Sequence, residues 1–433
     1  MPYDYQPKDM VFKHLGRTGL KVSVFSYGGW LTVGGTVKGD PVKDLIKTAL
    51  DNGVNFFDKS VVPSPSPFAF PFPALFSSTG GIRAWTVTYS EYDDANSAEI
   101  YSNGQSEIEM GRVFKELDVD RSQIVVSTKI FFGTGKSDPN QKGLSRKGLR
   151  RADSAAGTDP DDLPLPLQHI IEGLNASLKR LQLDYVDVVL AHRPDVATPM
   201  EEVVRAFNHV IEKGLSFYWG TSEWTATQIQ EAIGIADRLG LIGPIVEQPQ
   251  YSLLHREKFE VEYAPLFQKY GYGTMIWSPL AGGYLSGKYM NGIPEDSRFK
   301  TNPSFYEDRI KQLESPEGKK EQEKIRKLDA LSKRLGGSNV AALALAWCAK
   351  NPNVSSTILG ATRPEQLEEN FEALKLLPKL DDKVMAEIEE IFDNKPQQLP
   401  TYGRAVLFTG SSEAVHGHSD LSSRELLAGS PDN

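Results

Sequence analysis

Four residues in this chain have the side chains needed to deliver a proton to a carbonyl oxygen: Asp58, Tyr101, Lys129 and His192. Adding hydride to a carbonyl carbon builds negative charge on the oxygen, and that charge must be met by a proton. A tyrosine hydroxyl, with an ordinary pKa of about 10, is a weak acid for this task near neutrality. A lysine ammonium beside it stabilises the phenolate and lowers that pKa. A partly buried lysine in turn needs a carboxylate to stay charged, which is the part for Asp58. His192 can donate a hydrogen bond to the carbonyl oxygen and orient the substrate. Taken singly, each residue has a plainer reading: Asp58 as a helix cap, Lys129 as a surface lysine, His192 as a core histidine, Tyr101 as a packing aromatic.

Their placement along the chain is what joins them. Eight short apolar, β-branched runs read as strands: VSVFSY (22–27), VNFFD (54–58), QIVVSTKI (123–130), YVDVVLAH (185–192), FYWGTS (217–222), PIVEQPQ (244–250), YGTMIWSP (272–279) and STILGA (356–361). Asp58, Lys129 and His192 stand at or next to the ends of three of them, and Tyr101 follows the second. Between most runs lie segments of helical period, such as VKDLIKTALDNG, SEIEMGRVFKEL and HIIEGLNASLKRLQL. The last sets Ile170, Ile171, Leu174, Leu178 and Leu181 on one face, with Lys and Arg on the other. Strands buried on both faces and joined by helices imply a parallel sheet. An open doubly wound sheet would carry a G-x-G-x-x-G turn after its first strand. Here that turn reads YGGWLTVGG, with the wrong spacing. The expected fold is α/β, a (β/α)8 TIM barrel over residues 10–394 with a short N-terminal β-hairpin, and its functional residues belong at the C-terminal ends of the strands.

Two tracts interrupt this order, at 59–97 and 148–168. Residues 60–82 carry no charge and are crowded with Pro, Ser and Phe, which suits neither a packed helix nor a central strand. The second tract is polar and contains Pro, and the tail 395–433 is rich in Gly, Ser and charge. All three are expected to be disordered. The rest of the composition is that of an ordinary globular enzyme: 433 residues, 39% hydrophobic and 24% charged. A net charge of −9 argues against a nucleic-acid partner. One cysteine, Cys348 in the apolar run VAALALAWCA, excludes an internal disulfide, suits a reducing compartment and is expected in the core. No signal peptide or bilayer-length apolar stretch is seen, so a cytoplasmic protein not embedded in a membrane is expected.

VNFFD, AEIYSNGQSE, VVSTK, HRPD (192–195), WSPLAGGYLSGKY (277–289) and LGATRPEQLEEN (359–370) together resemble aldo-keto reductases. LGRTGLKVS, EQPQYSLLHRE (247–257) and the WSPLAGG stretch look most like the potassium-channel β-subunit branch and its microbial relatives. The resemblance covers roughly 10–58, 98–147 and 169–394. It implies NADPH held extended over the barrel rim, with a small carbonyl compound as substrate. Carried over by motif, Trp30 would approach the nicotinamide end, Ser222 and Gln248 would hold the carboxamide, and Trp277 would stack on the ring. Ser278, Leu280, Lys288 and Arg298 would line the pyrophosphate and ribose path. Gly360, Thr362, Gln366, Glu369 and Asn370 would hold the adenosine end. The turn GATRPEQLEEN suits this, with Thr362 and a helix N-terminus open to an anion and Arg363 and Lys288 as cations for phosphate. The plainer reading leaves Thr362 as a helix cap and Arg363 solvated.

This chain also departs from that branch. The channel subunits usually carry Asn where His192 stands, so the chain follows the wider enzyme family there. Glu223 stands where a basic residue is common, and Asp296 where a tyrosine often lies near the cofactor; either is expected to weaken cofactor retention. In the family the aspartate and tyrosine are close in sequence, as D-x-A-E-x-Y, whereas 43 positions separate Asp58 from Tyr101. Removing 59–97 restores FFD followed by AEIY, and removing 148–168 restores SRK followed by HIIEGL. Both tracts look like translated introns or mispredicted exons. A reductase is therefore expected, ahead of a cofactor-binding auxiliary subunit of a potassium channel or a catalytically impaired product of a gene model that retains introns. The resemblance allows a homotetramer and a channel partner, although no long N-terminal segment of the kind a channel-plugging arm needs is seen. Sequencing the spliced message checks the intron reading: both tracts should be missing from it, and transcripts that retain them refute it.

Overall fold

The computed structural model describes residues 3–29, 33, 37–58, 104–132, 143–145, 169–295, 297–301 and 307–397. Both expected insertions, the tail beyond 397, Trp30, Tyr101, Asp296 and the side chain of Arg298 lie outside the described residues.

Ten strands are present among the described residues. β1 (Phe12–His14) and β2 (Lys21–Ser23) form an antiparallel hairpin. β3 (Phe25–Gly28), β4 (Phe56–Asp58), β5 (Val125–Ile130), β6 (Val186–Ala191), β7 (Ser216–Ser222), β8 (Val246–Gln248), β9 (Gly273–Ile276) and β10 (Ser356–Leu359) close into a parallel barrel, with β10 pairing β3. The helices are α1 (Asp40–Asp51), α2 (Gln105–Glu116), α3 (His169–Leu181), α4 (Met200–Glu212), α5 (Ala226–Leu239), α6 (Ala264–Tyr270) and α7 (Arg298–Thr301). They continue with α8 (Glu307–Glu314), α9 (Pro316–Arg334), α10 (Val340–Lys350), α11 (Pro364–Phe371), α12 (Ala373–Leu376) and α13 (Asp382–Phe392). The (β/α)8 expectation is met, and each of the eight strand-like runs overlaps one barrel strand.

One run divides. VSVFSY supplies both the end of β2 and most of β3, because at Val24 the chain leaves the hairpin for the barrel. Val24 donates its N–H to Val11 in the hairpin, while its carbonyl accepts from Thr357 in β10. A second correction concerns α3. Ile170, Leu174, Leu178 and Leu181 are buried as expected, but Ile171 is only half-buried. Nor does Arg180 stand on the solvent face, since its guanidinium reaches the buried Glu107 of α2 at 2.5 Å. Cys348 is buried in α10, as its apolar surroundings require.

Side chains along each barrel strand alternate with period two, inward and outward. Leu15 and Val22 of the hairpin pack with the inward Phe56, Val125, Val188, Leu190, Val246, Met275 and Ile358 into one apolar cluster that fills the barrel. The hairpin is held beneath it by close backbone approach. At Gly16 (φ +59°) a Cβ would meet the N–H of Gly273 at 2.7 Å. Lys13 ties the same hairpin to the far side, donating to the carbonyls of Ala349, Asn351 and Val354 at 2.7–3.0 Å. Outward residues such as Phe57, Val126, Val189 and Trp219 pack against the helices.

The outward face also carries ionisable residues, among them Asp187 of β6, paired with Arg121, and Glu247 of β8. Glu247 of β8 is fully buried between sheet and helices, where it accepts from the hydroxyls of Thr221 and Tyr263. Burial pushes its pKa up to about 8, against the pull of Lys258 and the Thr221 hydroxyl. The folded state thus holds a proton that the unfolded chain releases at its ordinary value of 4.5. The stability this proton confers is complete below 4.5 and is lost as pH rises through about 8. Across that window the unfolding free energy of the wild type should fall relative to Glu247→Gln by up to about 1.4 kcal/mol per pH unit. Urea unfolding of both proteins as a function of pH checks this, and a pH-independent difference contradicts it.

Candidate active site

The C-terminal ends of the strands carry the inward polar residues. Asp58 ends β4, Lys129 lies near the end of β5, His192 follows β6, Ser222 ends β7, Gln248 ends β8 and Trp277 follows β9. All six are buried. The register explains their convergence, since Asp58 pairs across the sheet with Ser127 and Ser222 with Gln248.

Asp58 and Lys129, both fully shielded from solvent, form the centre of this layer. The Lys129 ammonium lies 2.8 Å from each carboxylate oxygen of Asp58. Ser127 donates its hydroxyl to Oδ1, and Gln248 donates its amide to Oδ2 at 3.1 Å. The carboxylate therefore has three donors in place of water, which is what makes a buried charge tolerable. Burial draws the Lys129 ammonium below the usual lysine value, and Asp58 opposes that pull.

Around this pair the strand ends are laced together. The His192 ring stands edge-to-face with Phe132 at 5.1 Å. Arg193 donates to the His192 carbonyl at 2.6 Å and to the Ser222 hydroxyl at 3.3 Å, and Ser222 donates its hydroxyl to the backbone carbonyl of Gln248 at 3.0 Å. Asp195 accepts from the Leu144 N–H and the Thr198 hydroxyl, each at 2.7 Å, which ties residues 143–145 to the loop after β6. Burial raises the Asp195 carboxyl, but these donors outweigh it and hold the group below its ordinary value.

The remaining expected residues lie on the loops that follow β9 and β10 and on α11. Ser278 (φ +55°) accepts the Gly282 N–H at 2.9 Å, and Leu280 accepts from Gly283. Lys288 is exposed, with its ammonium over the Tyr289 ring at 5.1 Å. Arg298 opens α7, and Gly360 directly follows β10. Thr362 is not the helix cap, and both its N–H and its hydroxyl bond to Oε1 of Gln366. Arg363 is the N-cap residue of α11 and is exposed, as is Glu369, whereas Asn370 is buried.

Two observations test whether these residues suit a cofactor lying along the rim. Oε1 of Gln248 is buried and has no hydrogen-bond partner among the described residues, so it can take an amide N–H. A Cβ built at Gly282, Gly283 or Gly360 would meet nothing within 4 Å, so the backbone there borders open space. The site fits such a group.

Sequence reasoning passed over Ser127 and the lacing role of Arg193. The first was legible, since Ser127 and Lys129 are two apart on one strand and so share a face. The second required the fold.

Comparison with known proteins gives a family. The sequence model of the aldo/keto reductase family matches residues 25–393. A protein of Schizosaccharomyces pombe named "Putative voltage-gated potassium channel subunit beta" is 44% identical over 396 residues, covering 91% of this chain and 97% of that protein. Proteins of Arabidopsis thaliana and Oryza sativa, each named "Probable voltage-gated potassium channel subunit beta", are 42% and 43% identical over 401 residues, covering 91% of this chain and all of theirs.

Removing one partner of a buried ion pair strands the other. Lys129→Met should cost roughly 3 kcal/mol or more of stability, and the double variant Asp58→Asn, Lys129→Met should cost less than the sum of its singles. Urea unfolding of the four proteins measures both; additive losses would show that the pair is not coupled.

Proposed function

The chain belongs to the aldo/keto reductase family, and from that premise we propose that it reduces small aldehydes or ketones with NADPH as the hydride donor. The observation that carries this reading is the solvent-free Asp58–Lys129 pair at the C-terminal mouth of the barrel, beside His192. A lysine buried this deeply, against a desolvation cost, is a lysine placed to act on a neighbouring group.

In this reading Tyr101 gives its hydroxyl proton to the carbonyl oxygen, and the Lys129 ammonium stabilises the phenolate left behind. Asp58 keeps Lys129 charged and, with Ser127 and Gln248, fixes where the ammonium points. His192 binds the carbonyl oxygen and sets its direction. When bound, NADPH would supply the hydride for the carbonyl carbon. Gln248 and Ser222 would hold its carboxamide, Trp277 its ring and Lys288 and Arg363 its phosphates. Those two cations favour NADPH over NADH.

The long tract between Asp58 and Tyr101 does not separate the parts that flank it. Gly29 donates its N–H to the Asp58 carbonyl and accepts the Ser106 hydroxyl, at 3.1 and 3.3 Å. Glu107, one residue further into α2, accepts the Thr128 hydroxyl of β5 at 2.8 Å. The first turn of α2 is therefore fastened beside the pair, four positions after Tyr101 in sequence.

A second reading, an auxiliary subunit of a membrane channel, comes from the names of the relatives. Among the described residues no helix is long and apolar enough to cross a membrane.

NADPH oxidation with a panel of aldehydes tests the enzymatic reading. Full-length protein should turn over weakly or not at all, and a version lacking 59–97 should be active. Tyr101→Phe in that shortened version should lower the rate by about a hundredfold or more. Equal turnover of the long and short forms would remove the blocking role of the tract, and an indifferent Tyr101→Phe would argue for binding without catalysis.

A further inference from the structure

Among the described residues, Glu223 is an acidic residue whose carboxylate joins the ends of several strands at the mouth while standing outside the acid–base group. It follows β7 directly, in left-handed backbone conformation (φ +58°), which turns its side chain toward the ends of β8 and β9. Oε1 accepts the indole N–H of Trp277 at 2.9 Å and the N–H of Gln250 at 2.7 Å. Oε2 pairs with the Lys258 ammonium at 2.8 Å. Burial works to raise this carboxyl, but Lys258, Arg193 and the Gln250 N–H together hold it below its ordinary value, so it is charged at neutral pH.

An indole donor bond is not guaranteed in this protein. Trp224 and Trp347 both bury their N–H with no partner among the described residues. Trp277 is 5% exposed and belongs to the apolar cluster inside the barrel, yet its N–H finds a charged acceptor. A bond to a charged group is the stronger kind, and the left-handed turn and the lysine anchor both serve to aim it.

The geometry points to Glu223 as a positioning residue: anchored by Lys258, it fixes the Trp277 indole at the barrel mouth and so sets how tightly the nicotinamide end of the cofactor is held. This is opposite to the loss of retention expected from an acidic residue at that position. The first half stands on the hydrogen bonds alone, and the second rests on the NADPH reading above.

Two measurements separate those halves. In cofactor-free protein labelled with 5-fluorotryptophan, the Trp277 fluorine resonance is assigned by its loss in Trp277→Phe. It should be a single narrow line in wild type and in Glu223→Gln, which keeps an acceptor. In Glu223→Ala it should broaden or split; an unchanged line there overturns the positioning role whether or not any cofactor binds. Should Glu223→Ala not fold, Lys258→Met removes the anchor instead and carries the same expectation. The second measurement is the dissociation constant for NADPH. Glu223→Ala should weaken binding about tenfold, as should Trp277→Phe, with no further loss in the double variant. Losses that multiply would mean that Glu223 acts by another route and would overturn the proposal. Wild-type protein that binds no NADPH would sink the cofactor reading and the retention half with it, leaving the fluorine line to decide the positioning half.

Discussion

The Lys129 ammonium and the Asp58 carboxylate neutralise each other where no water reaches, and the barrel is arranged around that requirement. Removing two such charges from water costs several kcal/mol each, and their attraction offsets this only if every remaining lone pair is met. Ser127 and Gln248 complete the shell, one from the strand that carries Lys129 and one from the opposite side of the barrel. Ser127 is within reach because β5 pairs with β4 in the observed register, and Gln248 because the sheet closes on itself. The ion pair thus depends on the closed barrel, and a barrel with the wrong register would leave a bare charge inside.

The same requirement divides the barrel into two layers. Below, Leu15 and Val22 of the hairpin join Phe56, Val125, Val188, Met275 and Ile358 in an apolar fill. Above, the inward positions are Asp58, Lys129, His192, Ser222, Gln248 and Trp277. The apolar fill excludes water from beneath, which lowers the local dielectric and strengthens each interaction in the polar layer. Outside the strands the sheet is pinned to its helices by two further buried acidic side chains. Glu107 of α2 joins Arg180 of α3 to Thr128 of β5, and Glu247 meets the hydroxyls of Thr221 and Tyr263. Each fixes the backbone on which an upper-layer residue rides: Thr128 precedes Lys129, and Thr221 precedes Ser222.

Much of this was legible without coordinates, because period and position carry it. Eight apolar runs between helical segments specify the barrel, and the ends of those runs pick out Asp58, Lys129 and His192. What the sequence left hidden lies in contacts between distant segments. Gln248 reads as a cofactor contact, yet its amide donates to Asp58, 190 positions earlier, and only its carbonyl oxygen is left over. Arg180 reads as a solvated helix residue because its partner is on another helix. VSVFSY reads as one strand because nothing in six β-prone residues marks Val24 as the crossing from hairpin to barrel. Glu223 reads as a stray charge until its left-handed φ and Lys258 show where the carboxylate is aimed.

The long tract between Asp58 and Tyr101 can now be weighed against the scaffold that flanks it. On one side Asp58 is locked by three side chains and its strand; on the other the start of α2 is held by Ser106 and Glu107. Both anchors are made by residues outside the tract, so lengthening it leaves them intact. The closure entropy of going from about five to about forty residues is only about 2 kcal/mol, less than the cost of breaking the buried pair. The barrel therefore tolerates the insertion thermodynamically. Whether the mouth can work then turns on the volume and chemistry of the tract, with its uncharged run of Pro, Ser and Phe, and not on the stability of the machinery.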